Sequence, residues 1–267
     1  MNGAETVKRN LENARKLERA GEVIVSAQLL EAARCLTGAS PTAACEYFQR
    51  AFEKGPVCPE MFSLSRLICK GHGKKHEEKK DTVMVSCIKN PISLAAARKM
   101  CADATTLRVV EETDFRSACE AVASKQTDYC ILPMCSSSDG YYPTFSKLCK
   151  ANDLKICSTV RISKSDSDEE LQLALLSREL EIPSRPEYAC FSFVCDEQSL
   201  LWSLVCALGK SGCIPTSITS APLEYNMDRF EHRIEVRLWE NNAEALLYFL
   251  EATLPGHTVL GIYNTVN

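Results

Sequence analysis

Few side chains in this chain stand at spacings that suit chemistry. Cys69, His72 and His76 are metal-ligating types that fall within eight residues. Around them, Lys70–Lys80 holds Gly71, Gly73, five lysines and two glutamates, and nothing apolar. A polar loop of that kind offers neither a fixed geometry nor a fourth ligand, so it reads as a solvated linker and no metal is expected. The chain has 15 cysteines, scattered singly, without a Cys-x-x-Cys pair. An odd number cannot pair completely within one chain, and many lie in apolar segments, as Cys130, Cys190 and Cys206 do. Free buried thiols in a reducing, cytoplasmic setting are expected. Three polar clusters remain: Lys89-Asn90-Pro91, Met134-Cys135-Ser136-Ser137-Ser138-Asp139-Gly140 and Ser177-Arg178-Glu179.

The surrounding periodicity sets where these clusters sit. Val83–Ile88 reads as a buried strand and Ser93–Cys101 as a helix capped by Ser93. Leu107–Val110 is a second strand. Asp114 caps a helix over Phe115–Ser124, and Tyr129–Pro133 is a third strand. A βαβαβ order implies a parallel sheet, and open parallel sheets bind ligands at the carboxyl ends of their strands. Those ends carry the Asn90 and the Cys135–Gly140 clusters. A further helix is expected over Asp168–Leu176, leading into Ser177.

Residues 1–69 read as alanine-rich antiparallel helices, broken by Gly38, Ser40 and Pro41. They resemble one tetratricopeptide unit, too little for an array. The charged linker spans 70–81. From Tyr188 the pattern is strand, helix, strand, strand, helix, strand. Tyr188–Cys195 is followed by the helix Ser199–Lys210, with Leu200, Leu204 and Leu208 inward. Then come Cys213–Leu223, His232–Trp239, the helix Asn242–Leu254 and Thr258–Tyr263. Alternation at His232, Ile234, Val236 and Leu238 predicts one buried and one wet sheet face. Trp239, Tyr248 and Phe249 are expected in the core. The whole is a ferredoxin-like βαββαβ layout, so the fold class is α/β and α+β.

Bulk properties exclude several classes. The chain has 267 residues, 45% of them hydrophobic and 25% charged, which is a globular profile. A net charge of −4 leaves no basic footprint for nucleic acid. No apolar run reaches the ~18 residues that span a bilayer. Met1-Asn2-Gly3-Ala4-Glu5 does not resemble a secretory leader.

The order of parts resembles prephenate dehydratase followed by its regulatory ACT domain. Ala118–Pro133 with Gly140 is similar to the segment ending in the family's Pro-x-Glu-Asn-Ser loop and glycine. Asp153–Ile162 is similar to the strand region after it. Ser177-Arg178-Glu179 stands where the family has Thr-Arg-Phe. Thr219-Ser220-Ala221-Pro222 stands where it has Glu-Ser-Arg-Pro, and Leu260-Gly261-Ile262-Tyr263 matches its Leu-Gly-Ser-Tyr end. The resemblance covers about 180 residues. It implies a dehydratase-like lobe over 82–183 and an ACT-like domain over 187–267. It also implies Ser177 as acid and Arg178 as carboxylate anchor, with Asn90, Cys135, Ser136 and Ser137 at substrate. Ser199, Leu200, Ser220 and Pro222 would hold an effector such as an aromatic amino acid. No cofactor is implied.

The departures shape the functional expectation. Glu179 would add negative charge beside a dianion. Cys135-Ser136 replaces the Glu-Asn of the loop, and the glycine-rich first loop has become Ile88-Lys89-Asn90-Pro91-Ile92-Ser93. Only 36 residues separate Gly140 from Ser177, too few for a second lobe that closes over substrate. Ala221 replaces the effector-binding arginine. The expectation is a non-catalytic binding, scaffold or regulatory protein that dimerises through its ACT-like part, its N-terminal helices holding a protein partner. The alternatives are an active dehydratase, converting prephenate to phenylpyruvate, and an amino-acid sensor. Neither nucleic acid nor membrane is an expected partner.

Overall fold

The computed structural model describes residues 73–75, 81–164, 168–195, 198–210, 213–223, 226–238, 243, 246–247, 250, 254 and 256–266. The expected N-terminal helices, and Trp239, Tyr248 and Phe249, lie outside the described residues. The elements are β1 (Gly73–Lys75), β2 (Thr82–Ile88), α1 (Pro91–Met100), β3 (Thr106–Glu112), α2 (Phe115–Ala123), β4 (Tyr129–Ser136) and β5 (Gly140–Tyr141). They continue with α3 (Pro143–Ala151), β6 (Lys155–Ser163), β7 (Glu170–Ser177), β8 (Leu180–Ile182) and β9 (Tyr188–Cys195). The last are α4 (Gln198–Lys210), β10 (Cys213–Leu223), β11 (Asn226–Leu238) and β12 (Thr258–Val266). The chain divides into two compact units, one joining His72–Cys190 to Val259–Asn267 and the other containing Phe191–Thr258.

In the first unit the strands run β12-β6-β7-β4-β2-β3, with β5 on β4. The expected parallel βαβαβ core is present: β2 pairs in parallel with both β3 and β4. Because β2 connects first to one side and then to the other, right-handed crossovers put α1 and α2 on opposite faces. Ala96 and Ala97 of α1 pack with Val83, Val85, Cys87, Tyr129 and Ile131. On the other face, Ala118, Cys119 and Val122 of α2 join Phe145 and Cys149 of α3 over Cys130, Leu132 and Met134. Strand β4 therefore alternates between two cores, as period two requires.

The helix expected over Asp168–Leu176 is instead strand β7. Its leucines suit a helix by propensity, but tertiary pairing overrides that weak preference. β7 lies antiparallel between β4 and β6. Leu173 and Leu175 enter one core while Ala174 and Leu176 enter the other. A strand buried on both faces reads as a continuous apolar run, which hides its period. α3, which the residue pattern did not announce, starts with Pro143 in its first turn and no side-chain cap.

Local signals explain the helix starts. α1 begins before the expected Ser93: Asn90 Oδ1 accepts from the Ser93 N–H at 2.6 Å, and Pro91 opens the first turn. α2 begins as expected, Asp114 Oδ1 accepting from the Ser117 N–H at 2.8 Å. The charged stretch 70–81 contains strand β1, which pairs in parallel with β8 through Gly73↔Leu180, Lys74↔Glu181 and Lys75↔Ile182. Glycine and lysine are poor strand formers, so only the pairing partner reveals this strand.

In the other unit β10, β11 and β9 are neighbours in that order, β10 and β11 antiparallel. Leu200, Leu204 and Leu208 of α4 are buried as expected. So are Ile234, Val236 and Leu238 of β11. The opposite face of β11 is less wet than expected: Arg233 is 5% exposed, with Nη2 3.7 Å from Glu235 Oε2. Ala243, Leu246, Leu247 and Leu250 are helical and buried at one-face spacing, within the expected helix 242–254. None of the 11 described cysteines is in a disulfide.

Candidate functional site

The switch point of the first unit lies between β2 and β4, whose connections leave in opposite directions, and a ligand crevice belongs outside their carboxyl ends. Asn90 follows β2 there, but its side-chain oxygen is engaged as the α1 cap. The serine cluster begins on the last residue of β4. Ser136 is buried; its Oγ accepts from the Asp139 N–H at 2.9 Å and lies 3.2 Å from Ser138 Oγ. This side-chain turn is completed by Gly140 at φ +72, a left-handed position suited to glycine. Ser137 is tied to β7: its N–H donates to Glu170 O at 2.9 Å and its Oγ accepts from the Glu170 N–H at 3.0 Å. Cys135 Sγ donates to Gln172 Oε1 at 3.3 Å.

Two charged residues missed by sequence reasoning complete this edge. Glu169 Oε1 accepts from Ser138 Oγ at 2.8 Å, and Glu169 Oε2 lies 2.5 Å from Lys164 Nζ. The Lys164 ammonium, then Ser138, hold the Glu169 carboxyl below its ordinary range, and Glu169 in turn raises Lys164. A carboxylate thus returns to the loop that Cys135-Ser136 had left without one, delivered from the start of β7. In sequence Lys164 lies in the polar run Ser163–Asp168 and Glu169 in the helix expected over Asp168–Leu176; only the β6–β7 pairing brings them to β4.

Ser177 sits elsewhere. The β4–β7 register pairs Cys130 with Leu176, so Ser177 stands beside Tyr129 at the amino end of β4. Ser136 is seven residues further along β4, roughly 20 Å at the ~3.3 Å rise of a strand. Ser177 is 4% exposed. Its hydroxyl donates to Glu179 O at 2.5 Å and accepts from Cys157 Sγ at 3.1 Å. Arg178 is exposed, and its Nη1 donates to Ala123 O at 3.3 Å, at the carboxyl end of α2. Near this end Tyr129 donates its hydroxyl to both oxygens of Glu181, at 2.9 and 3.1 Å. Burial, then the Asp128 and Glu181 carboxylates, push the Cys101 thiol up to about 11. Such a thiol stays protonated and is a poor nucleophile at neutral pH.

The expected effector residues fall in the other unit. Leu200 is a core residue of α4, 4% exposed. Ser199 is in the first turn of that helix, and its side chain lies outside the described residues. Ser220 and Pro222 are exposed on β10, opposite His232 and Phe230. Ser220 Oγ is 2.8 Å from His232 Nδ1. Among the described residues no group of three or more His, Cys, Asp or Glu could hold a metal. Nor is any described helix long and apolar enough to cross a membrane.

No protein-family model and no curated protein matches the chain. Solved structures do. GqqA, described as a novel type of quorum-quenching acylase, is 17% identical with a TM-score of 0.57, over 67% of this chain and 94% of that one. Prephenate dehydratase from Streptococcus mutans is 15% identical with a TM-score of 0.56, over 69% of this chain and 100% of that one. Prephenate dehydratase from Arthrobacter aurescens, solved in complex with L-Phe, is 13% identical with a TM-score of 0.53, over 68% and 90%. The chain therefore has a prephenate-dehydratase-like fold.

Proposed function

We propose that this chain uses a prephenate-dehydratase-like fold for binding or scaffolding rather than for dehydration, and pairs with a second copy through its ACT-like residues 187–267. One observation carries the reading. Dehydration requires a proton donor and carboxylate anchors around one substrate. Ser177, the acid that the resemblance implies, is buried and hydrogen-bonded on both sides. It stands at the opposite end of β4 from Ser136. Asn90, Ser136 and Ser137 each use their side chains to hold local structure.

Pairing is supported by β10, a strand hydrogen-bonded on one side only among the described residues. Its Ile214 and Ile218 are 50% and 43% exposed. Such an edge pairs readily with another strand, and antiparallel pairing about a two-fold axis presents the same surface from both copies.

Phenylpyruvate formation from prephenate, measured with Ser177→Ala as control, tests the catalytic half. Background rates for both proteins are expected; turnover that the substitution abolishes would establish an active dehydratase. Calorimetry with phenylalanine, tyrosine and tryptophan tests a sensor role.

A further inference from the structure

Ser220 and His232 form a pair of a kind that the dehydratase resemblance does not use. They face each other directly across the β10–β11 ladder. The serine is exposed and the histidine is 7% exposed. Ser220 Oγ lies 2.8 Å from His232 Nδ1. Phe193 and Phe230 fix the imidazole, with ring centroids 5.3 and 6.3 Å away and planes tilted by 35° and 30°. Burial holds the His232 pKa below its ordinary value, so the ring is neutral at pH 7. With the ring proton on Nε2, Nδ1 accepts the Ser220 hydroxyl proton. A hydroxyl within reach of a fixed neutral imidazole is the starting arrangement of an activated serine.

We propose that Ser220 and His232 act as nucleophile and general base in the transfer of small, uncharged acyl groups from esters to water. Ser220 Oγ forms a bond to the ester carbonyl carbon while its proton passes to His232 Nδ1. The carbon–alkoxide bond then breaks, and the leaving alcohol takes that proton. Water, deprotonated by Nδ1, attacks the acyl-serine; the carboxylic acid leaves and Ser220 regains its hydrogen. Beside Ser220 the exposed Ala221 and Pro222 leave room for a short acyl group, with Glu231 opposite Ala221 and Arg233 opposite Thr219. This reaction is independent of prephenate chemistry.

The full chain should be assayed with p-nitrophenyl acetate and butyrate, and treated with a fluorophosphonate probe. A burst of p-nitrophenol, with the acyl group and the probe mapped to Ser220 by peptide mass spectrometry, is expected. Ser220→Ala should remove the label and lower turnover by at least ~10²-fold. His232→Gln should leave a labelling rate lower by a similar factor. His232 is buried, so the exposed Ser220 carries the decisive variant. Turnover or labelling unchanged in Ser220→Ala, acylation mapped to other residues, or no acylation at all would each make the 2.8 Å contact a cross-strand strut and overturn the proposal.

Discussion

Gly261 on β12 lies against Ile156 on β6 with room for a hydrogen and nothing larger. A Cβ added at Gly261 would sit 2.5 Å from Ile156 Cβ and 2.5 Å from its carbonyl oxygen, where backbone cannot yield cheaply. The two residues are register partners in a parallel pair, with an irregularity before Asn264↔Ser158. The glycine of Leu260-Gly261-Ile262-Tyr263 is thus explained by strand packing within its own unit. Gly261→Ala should destabilise the fold by about 1–3 kcal/mol, as overpacking does. Urea unfolding checks this, and Gly209→Ala, whose Cβ would meet nothing within 4 Å, is the comparison expected to stay neutral or gain.

Ser177→Ala should act on stability. Its loss removes the hydrogen bonds to the Glu179 carbonyl and from the Cys157 thiol, at a cost of about 0.5–1.5 kcal/mol. A lower urea midpoint with an unchanged, background prephenate rate is the expected result.

Asn90→Ala should cost about 1 kcal/mol by uncapping α1, whereas Asn90→Asp should retain most of the stability, since aspartate caps equally well. A role at substrate would instead appear as a binding defect in both variants. Comparing thermal midpoints with ligand titrations separates these.

The Lys164–Glu169 pair sets a pH dependence. The Glu169 carboxyl is depressed in the folded chain by Lys164, Ser138 and Ser136, with Asp139 and Tyr142 also near Lys164. The unfolded chain therefore binds more protons at acidic pH. The contribution is complete above the unfolded carboxylate pKa and is lost as pH falls through the folded value. Glu169→Gln should flatten the stability profile below about pH 4.5, measured by urea midpoints across pH.

Pairing through β10 makes its own forecast. Ile218→Lys places a charge on an exposed edge position and should shift a dimer toward monomer, read by light scattering on a sizing column. An unchanged mass would exclude this edge as the interface.

Legibility in the sequence followed local physics. Asp114 announced α2 because capping is a property of a few adjacent residues. Val83–Ile88 announced β2 because its run is short and β-branched. Leu171–Leu176 did not announce β7, since burial on both faces erases the alternation that distinguishes strand from helix. Gly73–Lys75 did not announce β1, since nothing in those residues favours a strand before Leu180–Ile182 is beside them. Ser136 was found from its place at the carboxyl end of β4. Glu169 and Lys164 were not, because their approach depends on register across β4, β7 and β6.

By itself the sequence determined the βαβαβ order, the cap at Asp114, the inward leucines of α4 and the resemblance in fold. Each rests on contacts within a few residues or on periodicity along one element. Only the tertiary structure decided that Ser177 and Ser136 stand at opposite ends of β4, that Glu169 reaches the serine loop, and that Gly261 packs on Ile156. Those are relations between strands far apart in the chain, and register fixes them: a shift of one residue would turn every side chain to the other face.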